Sequence, residues 1–493
     1  MTRLSEQTAQ RLIIAAVVLG SFMGATDSSI VVISLTAISR FYDVGTSEAS
    51  WVLITYLLVI TSFLIPFGRL GDLKGQKNIF VSGFALFTAS SFLCGAAATL
   101  PELILFRALQ GIGGAMITAT GPALLSLTIP EQGRGRAFGY LSAANGLGLA
   151  AGFGIGGIIT NFLSWQWIFF INVPVGIVAV ITAFLFIPRD TGTRKAEPAA
   201  VGFDLPGSIL ILLGAGLFIF TLSLGQEFGW MSIPILAAFV LSILFTSIFI
   251  IWELRTTAPL LNLGLLKNPV ISIGIGAAML NRLVVSGMVY LIPMYLELVK
   301  GYSTGFAGLL LLAPSLLIMV SGPVAGSLSD RIGSRWICTL AGFLLLISVT
   351  FFVIFDETIA LVLIVFALAL RAISMGLFAP PNLRIILSCS PREHRGAASG
   401  LWYFSRYLAS TIGIVLFETL FDLWIRGDEA EGITGAIHLH HSVTDLKIGF
   451  DQAFLVGIFF VVGMIVLSIL LREGKGHVDS DEYGTDNAEL HKP

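Results

Sequence analysis

Long apolar runs separated by short polar stretches follow one another along almost the whole chain. A bilayer-crossing helix takes about 20 apolar residues, because a hydrocarbon core of ~30 Å is crossed at ~1.5 Å per residue. Fourteen runs reach that length, and each predicts one transmembrane helix. The predicted helices span residues 12–35, 50–67, 78–98, 102–128, 137–160, 165–187, 206–225, 231–252, 270–296, 305–328, 336–355, 358–380, 396–421 and 449–471. The pattern therefore predicts an all-α polytopic membrane protein.

Composition excludes a water-soluble domain, since 56% of the residues are hydrophobic and only 12% are charged. Soluble proteins carry charge at about a quarter of their positions, so this chain must use lipid as its solvent. The basic residues lie scattered between apolar runs, and we expect no nucleic-acid partner. The three cysteines, Cys94, Cys338 and Cys389, fit neither a disulfide framework nor a metal-ligand spacing.

The loop charges predict an orientation. Twenty Lys and Arg residues lie at one set of predicted helix ends, whereas only Arg40, Lys300, Arg426 and Lys447 lie at the other. Cytoplasmic loops carry the excess of Lys and Arg, so we expect both termini to be cytoplasmic and the protein to lie in the cell (cytoplasmic) membrane as a multi-pass protein.

A ten-residue motif occurs twice. Gly68-Arg-Leu-Gly-Asp72-Leu-Lys-Gly75-Gln-Lys77 follows the second predicted helix. Gly326-Ser-Leu-Ser-Asp330-Arg-Ile-Gly-Ser-Arg follows the tenth, 258 residues later. Both read G-x-L-x-D-x-x-G-x-[KR] on the predicted cytoplasmic side. Parallel repeats around a midplane cavity are a known transporter plan, so the repeat predicts two related six-helix halves.

The repeat also divides the chain. We predict a cytoplasmic tail at 1–11, a six-helix bundle at 12–187, and a linker with inserted helices 7 and 8 at 188–268. A second six-helix bundle follows at 269–471, with a cytoplasmic tail at 472–493.

Five segments together resemble the major facilitator superfamily, and in particular its fourteen-helix drug:proton antiporter branch. They are Ala25–Val32 around Asp27, the loop Gly68–Lys77, Arg107–Ala115, Trp165–Gly176 and Phe404–Gly413 around Arg406. The resemblance implies a major facilitator fold of two six-helix bundles with two inserted helices. It also implies proton coupling through Asp27 and Arg107.

For the repeated loop, the resemblance implies a cytoplasmic gate that contains Gly68, Asp72, Gly75 and Lys77. In the family, the carboxylate at the position of Asp72 locks the halves together when the cavity faces outward. Asp330 occupies the repeat position, in a loop that keeps fewer basic residues.

Predicted helix 5 departs from the branch. The antiporter motif of that branch ends Gly-Pro-x-x-Gly-Gly. This chain instead has Gly148-Leu-Ala-Ala-Gly152 and, further on, Gly156-Gly157. The glycine face remains and predicts close helix packing. The missing proline weakens the inference from this motif to the direction of transport.

Charge inside a bilayer is costly and marks functional sites, and six charged residues are candidates for such sites. They are Asp27, Arg107, Arg282, Arg371, Arg406 and Glu418. Asp27 and Arg107 differ in predicted depth by only ~5 Å, so they can pair. Burial favours a neutral carboxyl group and a nearby guanidinium favours its charged form, so such a pair can bind and release a proton. The alternative is a static ion pair that holds two helices together.

Four intramembrane arginines against two carboxylates make the predicted cavity positive, which favours an anionic, zwitterionic or neutral substrate over a simple organic cation. Alternatively, the arginines bond backbone carbonyls. Trp402, Tyr403 and Tyr290 are further candidates for the cavity lining, with packing as the alternative. Glu418 lies either in the cavity or, as its position near a helix end favours, at the membrane interface.

The predicted outer loop 422–448 holds His438, His440 and His441. Their spacing fits no closed zinc pattern, so we expect a solvated loop without a metal ion.

The sequence favours a proton-coupled antiporter that exports hydrophobic or amphipathic small molecules by alternating access, without a cofactor and as a monomer. A facilitator, importer or exporter of an anionic metabolite on the same fold remains the alternative. A membrane enzyme or sensor is more remote, because the chain has no ATP-binding loop, His-Glu-x-x-His stretch or nucleophile elbow.

Overall fold

A computed structural model describes residues 6–128, 131–187, 204–256, 259, 261, 263–355, 359–390, 395–425 and 443–471. Within these ranges every long element is a helix. The α-helices are α1 Glu6–Ile33, α2 Leu35–Tyr42, α3 Thr46–Lys74, α4 Gln76–Gly95, α5 Leu100–Thr128, α6 Glu131–Phe162, α7 Trp167–Phe170, α8 Asn172–Phe186, α9 Leu205–Phe228, α10 Ile233–Arg255, α11 Pro269–Met294, α12 Thr304–Ile332, α13 Ser334–Ile354, α14 Leu361–Ser388, α15 Arg395–Ile425 and α16 Val443–Leu470.

Fourteen stretches of the described chain are long and apolar enough to cross a membrane, and each matches one of the fourteen predicted helices. The prediction of an all-α polytopic membrane protein is confirmed. The length of the apolar runs was enough to predict the helices, because a segment that must satisfy all its backbone hydrogen-bonding groups in lipid has few options other than a helix.

The largest departures from continuous helices occur at three places. The first predicted helix is interrupted at Ser34, whose hydroxyl bonds the Ile30 carbonyl oxygen at 2.8 Å and lies 2.7 Å from the Thr160 hydroxyl. The short helix α7 precedes α8. Beyond Pro293, α11 continues as a π-helical turn, Tyr295–Val299. Proline lacks an N–H donor, and such a turn accommodates the altered hydrogen-bond pattern.

The helices pack in two related sets. In the first set α1 packs on α6, and α5 packs on α3 and α4. In the second set α11 packs on α15, and α14 packs on α12 and α13. The most extensive contacts between the sets are α6 with α12 and α3 with α15, and α1 also meets α11 and α12. These contacts exchange equivalent helices, as two repeats facing each other across a pseudo-two-fold axis would.

The inserted helices lie beside one of these two seams. α9 packs on α10 and also against α3 and α15, so it contacts both sets. The Thr419 hydroxyl of α15 donates to the Leu222 carbonyl oxygen of α9 at 3.1 Å. Asp204 caps α9 through the Gly207 N–H at 2.9 Å and accepts the Trp252 indole N–H at 2.8 Å. The insert is therefore held to the bundle and to itself by polar contacts as well as apolar packing.

The outer end, named after the predicted orientation, holds the turns at Asp43, Ala96 and Gly301. The two sets approach each other closely there. A Cβ on Gly157 of α6 would lie 2.7 Å from the Thr304 carbonyl oxygen of α12. The Thr36 hydroxyl of α2 donates to Glu297 at 2.5 Å. These contacts close the space between the two sets at the outer end.

Candidate functional site

Asp27 of α1 and Arg107 of α5 form a fully buried ion pair. Arg107 Nη1 lies 2.7 Å from Asp27 Oδ2, and neither side chain has any exposed surface. The guanidinium also donates through Nε to the Val52 carbonyl oxygen of α3 at 2.9 Å. The pair therefore ties three helices of the first set together in the interior of the membrane.

Two neutral amides complete the coordination of the carboxylate. Gln110 Nε2 donates to Asp27 Oδ1 at 2.9 Å, and Asn172 Nδ2 donates to the same oxygen at 3.1 Å. Gln110 also accepts from Arg107 Nη1 at 2.5 Å and donates to the Ser91 hydroxyl at 2.8 Å. Both amides lie inside segments that carry the family resemblance, but their lack of charge gave no signal. The spacing of Gln110, three residues after Arg107, is the signal that could have identified it.

Aromatic rings enclose the guanidinium of Arg107. Its central carbon lies 4.1 Å from the centroid of the Tyr56 ring and 5.6 Å from that of Phe169. Tyr56 is itself buried, and its hydroxyl lies within hydrogen-bonding reach of Ser28. Cation–π contacts of this kind stabilise a desolvated arginine.

A second charged cluster lies in the other set of helices. It contains Arg282 of α11, Arg371 of α14 and Arg406 of α15. Arg282 interacts electrostatically with each of the other two arginines. Arg371 is 1% exposed, and its Nε and Nη1 have no hydrogen-bond partner among the described atoms. The same holds for Nη1 of Arg406. The alternative that the arginines bond backbone carbonyls is therefore wrong for these three atoms.

Aromatic side chains position Arg406. Its guanidinium carbon lies 4.5 Å from the centroid of the Trp402 ring. The Trp402 indole N–H donates to Asn382 Oδ1 at 2.8 Å, which fixes the ring against α14. Tyr403 packs edge-on against Trp402, with ring centroids 4.9 Å apart. Trp402 and Tyr403, both candidates from the sequence, thus lie beside Arg406.

Tyr407 lies between the two clusters. Its hydroxyl group interacts electrostatically with the guanidinium groups of Arg282 and Arg406. The same hydroxyl lies within hydrogen-bonding reach of Thr118 of α5. It also faces Tyr56, the ring that holds Arg107. Tyr56 and Tyr407 therefore connect the ion pair of one set with the arginines of the other. Sequence reasoning missed this tyrosine, although it follows Arg406 directly.

Glu418 of α15 is 2% exposed and joins the two sets near the outer end. Its Oε2 accepts from the Ser50 hydroxyl of α3 at 2.9 Å, and its Oε1 accepts from the Tyr290 hydroxyl of α11 at 2.9 Å. Asp422, one turn further along α15, is also buried. The favoured position of Glu418 at the membrane interface is wrong, because the side chain turns inward between the sets. Tyr290 belongs with this carboxyl group.

Glu297 is a half-buried carboxyl group that sequence reasoning missed. It lies in the π-helical turn, and its Oε1 has no hydrogen-bond partner among the described atoms. A position at the end of a predicted helix gave no sign of burial.

The repeated loops turn at glycines. Gly75 has φ 96°, and Gly333 at the repeat position has φ 88°, a conformation that favours glycine because it has no Cβ. Lys77 donates to the carbonyl oxygens of Phe184, at 2.9 Å, and of Ile187, which lie at the end of α8. Cations stabilise the carbonyl end of a helix, so Lys77 fastens the loop to the bundle.

The rest of the candidate gate is less fully described. Gly68 faces Ala119 of α5 across an ordinary van der Waals distance, 4.0 Å from its ideal Cβ position. The side chains of Asp72 and Asp330 lie outside the described residues. Their role as a gate stays a prediction.

Glycines of α6 bring it against helices on two sides. A Cβ on Gly148 would lie 2.5 Å from the Phe22 carbonyl oxygen of α1, and one on Gly152 would lie 2.6 Å from that of Thr26. Gly156 meets α1 as well, whereas Gly157 meets α12. α6 therefore packs too closely for larger side chains at both an intra-set and an inter-set contact.

The histidines at positions 438, 440 and 441 lie outside the described residues. Among the residues that are described, no group of three or more His, Cys, Asp or Glu side chains is arranged to hold a metal ion.

The sequence model of the family described as Major Facilitator Superfamily matches residues 17–414. This chain belongs to the major facilitator superfamily. The match covers all the helices that carry the two charged clusters, and it confirms the resemblance found in the sequence.

Similar proteins include several transporters. The multidrug resistance protein Stp of Mycobacterium tuberculosis is 29% identical over 88% of this chain and 79% of its own length. The riboflavin transporter RibZ of Clostridioides difficile is 30% identical over 83% of this chain and 88% of its own. The multidrug export protein EmrB of Haemophilus influenzae is 30% identical over 82% and 79%.

Among solved structures, a bacterial homologue of the human lysosomal transporter Spinster, inward-facing and unoccupied, superimposes with a TM-score of 0.64. It covers 94% of this chain and 97% of its own at 17% identity, so the likeness concerns the fold. The predicted fold is confirmed, and the superfamily member is a multi-pass integral membrane transporter.

Proposed function

We propose that this transporter is a proton-coupled antiporter that exports hydrophobic or amphipathic small molecules by alternating access. The observation that carries the proposal is the buried Asp27–Arg107 ion pair, which adjoins the space between the two sets through Tyr56. A charged pair in lipid is costly and is a functional site by default.

Protonation of Asp27 is the coupling step. The neutral acid attracts Arg107 less, while Gln110 and the Val52 carbonyl oxygen still hold the guanidinium. The guanidinium charge then faces Tyr56 and, beyond it, Tyr407. Binding of a proton thus changes the electrostatics of the substrate space without a large rearrangement of the helices.

Closure at the outer end supports an inward-facing state for this structure. Glu418 joins α3 to α11 and α15 there, and Glu297 joins the π-helical turn to Thr36. Opening toward the outside must break both contacts. Because Glu418 is held by two hydroxyl groups, a change in its protonation alters the balance of these bonds, and it is the second candidate for carrying a proton.

Export is supported by similar proteins named for multidrug resistance and multidrug export, at close to 30% identity. Uptake or export of an anionic metabolite is the second candidate function. The three arginines without ion-pair partners in the described chain favour it, and a riboflavin transporter is among the similar proteins.

The structural plan of the proposal follows the sequence analysis. The halves are residues 12–187 and 269–471, with the insert between them, and the protein acts as a monomer in the cell membrane with both termini in the cytoplasm. Cysteine accessibility at each terminus in intact cells and in inverted vesicles tests the orientation.

The decisive variant is Asp27→Asn. We expect it to abolish substrate flux driven by an imposed pH gradient in proteoliposomes, because an amide cannot exchange a proton. The amide oxygen still accepts from Gln110 or Asn172, but Arg107 loses its counter-ion and the free energy of unfolding should fall. Flux is therefore compared in protein whose thermal unfolding midpoint shows that the variant is folded. Proton movement is followed with a pH-sensitive dye against a panel of cationic, anionic and neutral lipophiles. Full gradient-driven flux in the variant would refute the assignment, and Glu418→Gln in the same assay would test the second carboxyl group.

A further inference from the structure

The second set of helices holds three interacting guanidinium groups for which the described residues supply no acidic partner. Within the described part of the chain, neither ion pair involves Arg282, Arg371 or Arg406. The electrostatic neighbours of Arg371 and Arg406 are Arg282 and tyrosines. The cluster therefore carries three positive charges in the interior of the membrane.

Such a cluster is unfavourable on two counts. Like charges repel more strongly in a medium of low dielectric constant than in water. A buried N–H without a hydrogen-bond partner also loses the bonds that it had with water. Both costs apply to Arg371, which is 1% exposed and has two unpartnered N–H-bearing atoms. A bound anion would remove both costs at once.

The surroundings hold the cluster in position. Arg406 stacks on Trp402 at 4.5 Å, and Trp402 is fixed by its hydrogen bond to Asn382. Arg282 and Arg406 are partly exposed, as are Tyr403 and Tyr407. Arg371 is buried. The cluster thus combines partly exposed cationic and aromatic groups with one buried charge.

From this arrangement we propose that the substrate is an organic anion with an aromatic or apolar body. Its carboxylate, sulfonate or phosphate group binds Arg282, Arg371 and Arg406, and its body packs against Trp402, Tyr403 and Tyr407. The planar fork of N–H donors on arginine matches such oxyanions in two parallel hydrogen bonds. The inference rests on the proposed transport function and names the substrate class of that transporter.

Equilibrium dialysis of the full chain in lipid nanodiscs, without any pH gradient, tests the proposal. The probes share one ring and differ in charge: naphthoate, naphthamide and naphthylmethylammonium. The corresponding benzene and pyrene series cover smaller and larger bodies. Nanodiscs without protein give the background from partition into lipid. We expect at least one anion to bind about tenfold or more tightly than its neutral and cationic counterparts.

Variants assign the binding to the cluster. Arg406→Gln and Arg371→Gln should each weaken anion binding by roughly ten- to a hundredfold, the loss of a hydrogen bond to a charged group. Arg406→Lys keeps the charge and should lose less. The matched control is Arg384→Gln, at the cytoplasmic end of α14, where the guanidinium bonds Ser329. It should bind the anion as the unaltered protein does. Thermal unfolding midpoints identify any variant that fails to fold.

The outcomes separate this proposal from proton coupling. Equal binding of all three charge forms in every ring series, preference for the cation, or an equal loss in Arg384→Gln would overturn the anion site. Anion binding without gradient-driven flux would keep the site and refute proton coupling. Gradient-driven flux of neutral or cationic compounds alone, without anion binding, would keep proton coupling and refute the anion site.

Discussion

The fourth membrane-spanning helix of each half carries an arginine in a related stretch of sequence, Arg107-Ala-Leu-Gln110 in α5 and Arg371-Ala-Ile-Ser374 in α14. Both arginines are buried, at 0% and 1% exposed. Arg107 meets the carboxylate of Asp27 and the amide of Gln110. Among the described residues Arg371 meets neither kind of partner, and the Ser374 hydroxyl bonds the Ala341 carbonyl oxygen instead, at 2.7 Å.

The difference shows how one repeated element can acquire two roles. In the first half the arginine has an acid and an amide of the protein as partners, and we propose that this site exchanges a proton. In the second half the described residues supply no such partner, and we propose that this site binds a ligand. An antiporter needs both kinds of site.

The largest expected effect comes from removing each arginine in turn. Arg107→Met leaves a buried Asp27 carboxylate without its cation, and we expect a loss of about 3–5 kcal/mol in the free energy of unfolding. Arg371→Met removes a buried charge that has no ion-pair partner in the described chain. It should change the free energy of unfolding by less than about 1 kcal/mol or increase it, because an apolar side chain of similar length replaces a desolvated cation.

Unfolding in mixed detergent micelles, followed by circular dichroism, measures both variants under the same conditions. Adding Asp27→Asn to Arg107→Met should recover most of the lost stability, since the orphaned charge is gone. The contrast between the halves fails if the two single variants lose equal stability.

This contrast was only partly visible in the sequence. Apolar run length predicted the helices, and the rise of an α-helix placed Asp27 and Arg107 at similar depth. The partners Gln110 and Asn172 were not predicted, since neutral amides do not stand out in an apolar run. The shared location of Arg282, Arg371 and Arg406 depends on how three helices pack, which residue spacing along one helix does not encode.

The burial of Glu418 and the partial burial of Glu297 were missed for a related reason. Glu418 and Glu297 lie near helix ends, where a charged residue usually reaches water. Here the other half of the protein covers both, through Ser50 and Thr36. A surface that one half buries against the other cannot be identified from the pattern of either half alone.

Glu418→Gln tests the outer contact, where the halves meet through a carboxyl group that both supply with hydroxyl donors. An amide keeps one acceptor and replaces the other with a donor, so one of the bonds from Ser50 and Tyr290 is lost. A hydrogen bond to a charged group contributes about 1.5–3 kcal/mol, which shifts the balance between inward- and outward-facing states by roughly ten- to a hundredfold.

Spin-label distances across the outer end should therefore lengthen in Glu418→Gln. Tyr290→Phe removes only one of the two hydroxyl donors and serves as the comparison variant. The spin-label distances should lengthen in it as well. Unchanged distances in both variants would mean that these bonds do not hold the outer end closed.

The smallest expected effect concerns the two copies of the cytoplasmic motif, and it extends the comparison of the halves to their loops. Asp72 lies in the first copy, whose Lys77 donates to carbonyl oxygens at the end of α8, and Asp330 lies in the second. A carboxylate at the positive N-terminal end of a neighbouring helix contributes up to about 1–2 kcal/mol when partly buried. We predict that the partner of Asp72 is the start of α15 at Arg395 when the cavity faces outward. Asp72→Asn should therefore favour the inward-facing state by roughly five- to thirtyfold and slow turnover, while substrate binding persists.

Asp330→Asn should change the balance less, because its loop keeps fewer basic residues around the carboxylate. Spin-label distances measured at both ends, in both variants, decide the point: equal shifts would make the two loops equivalent, and no shift in Asp72→Asn would reduce its motif to a packing turn.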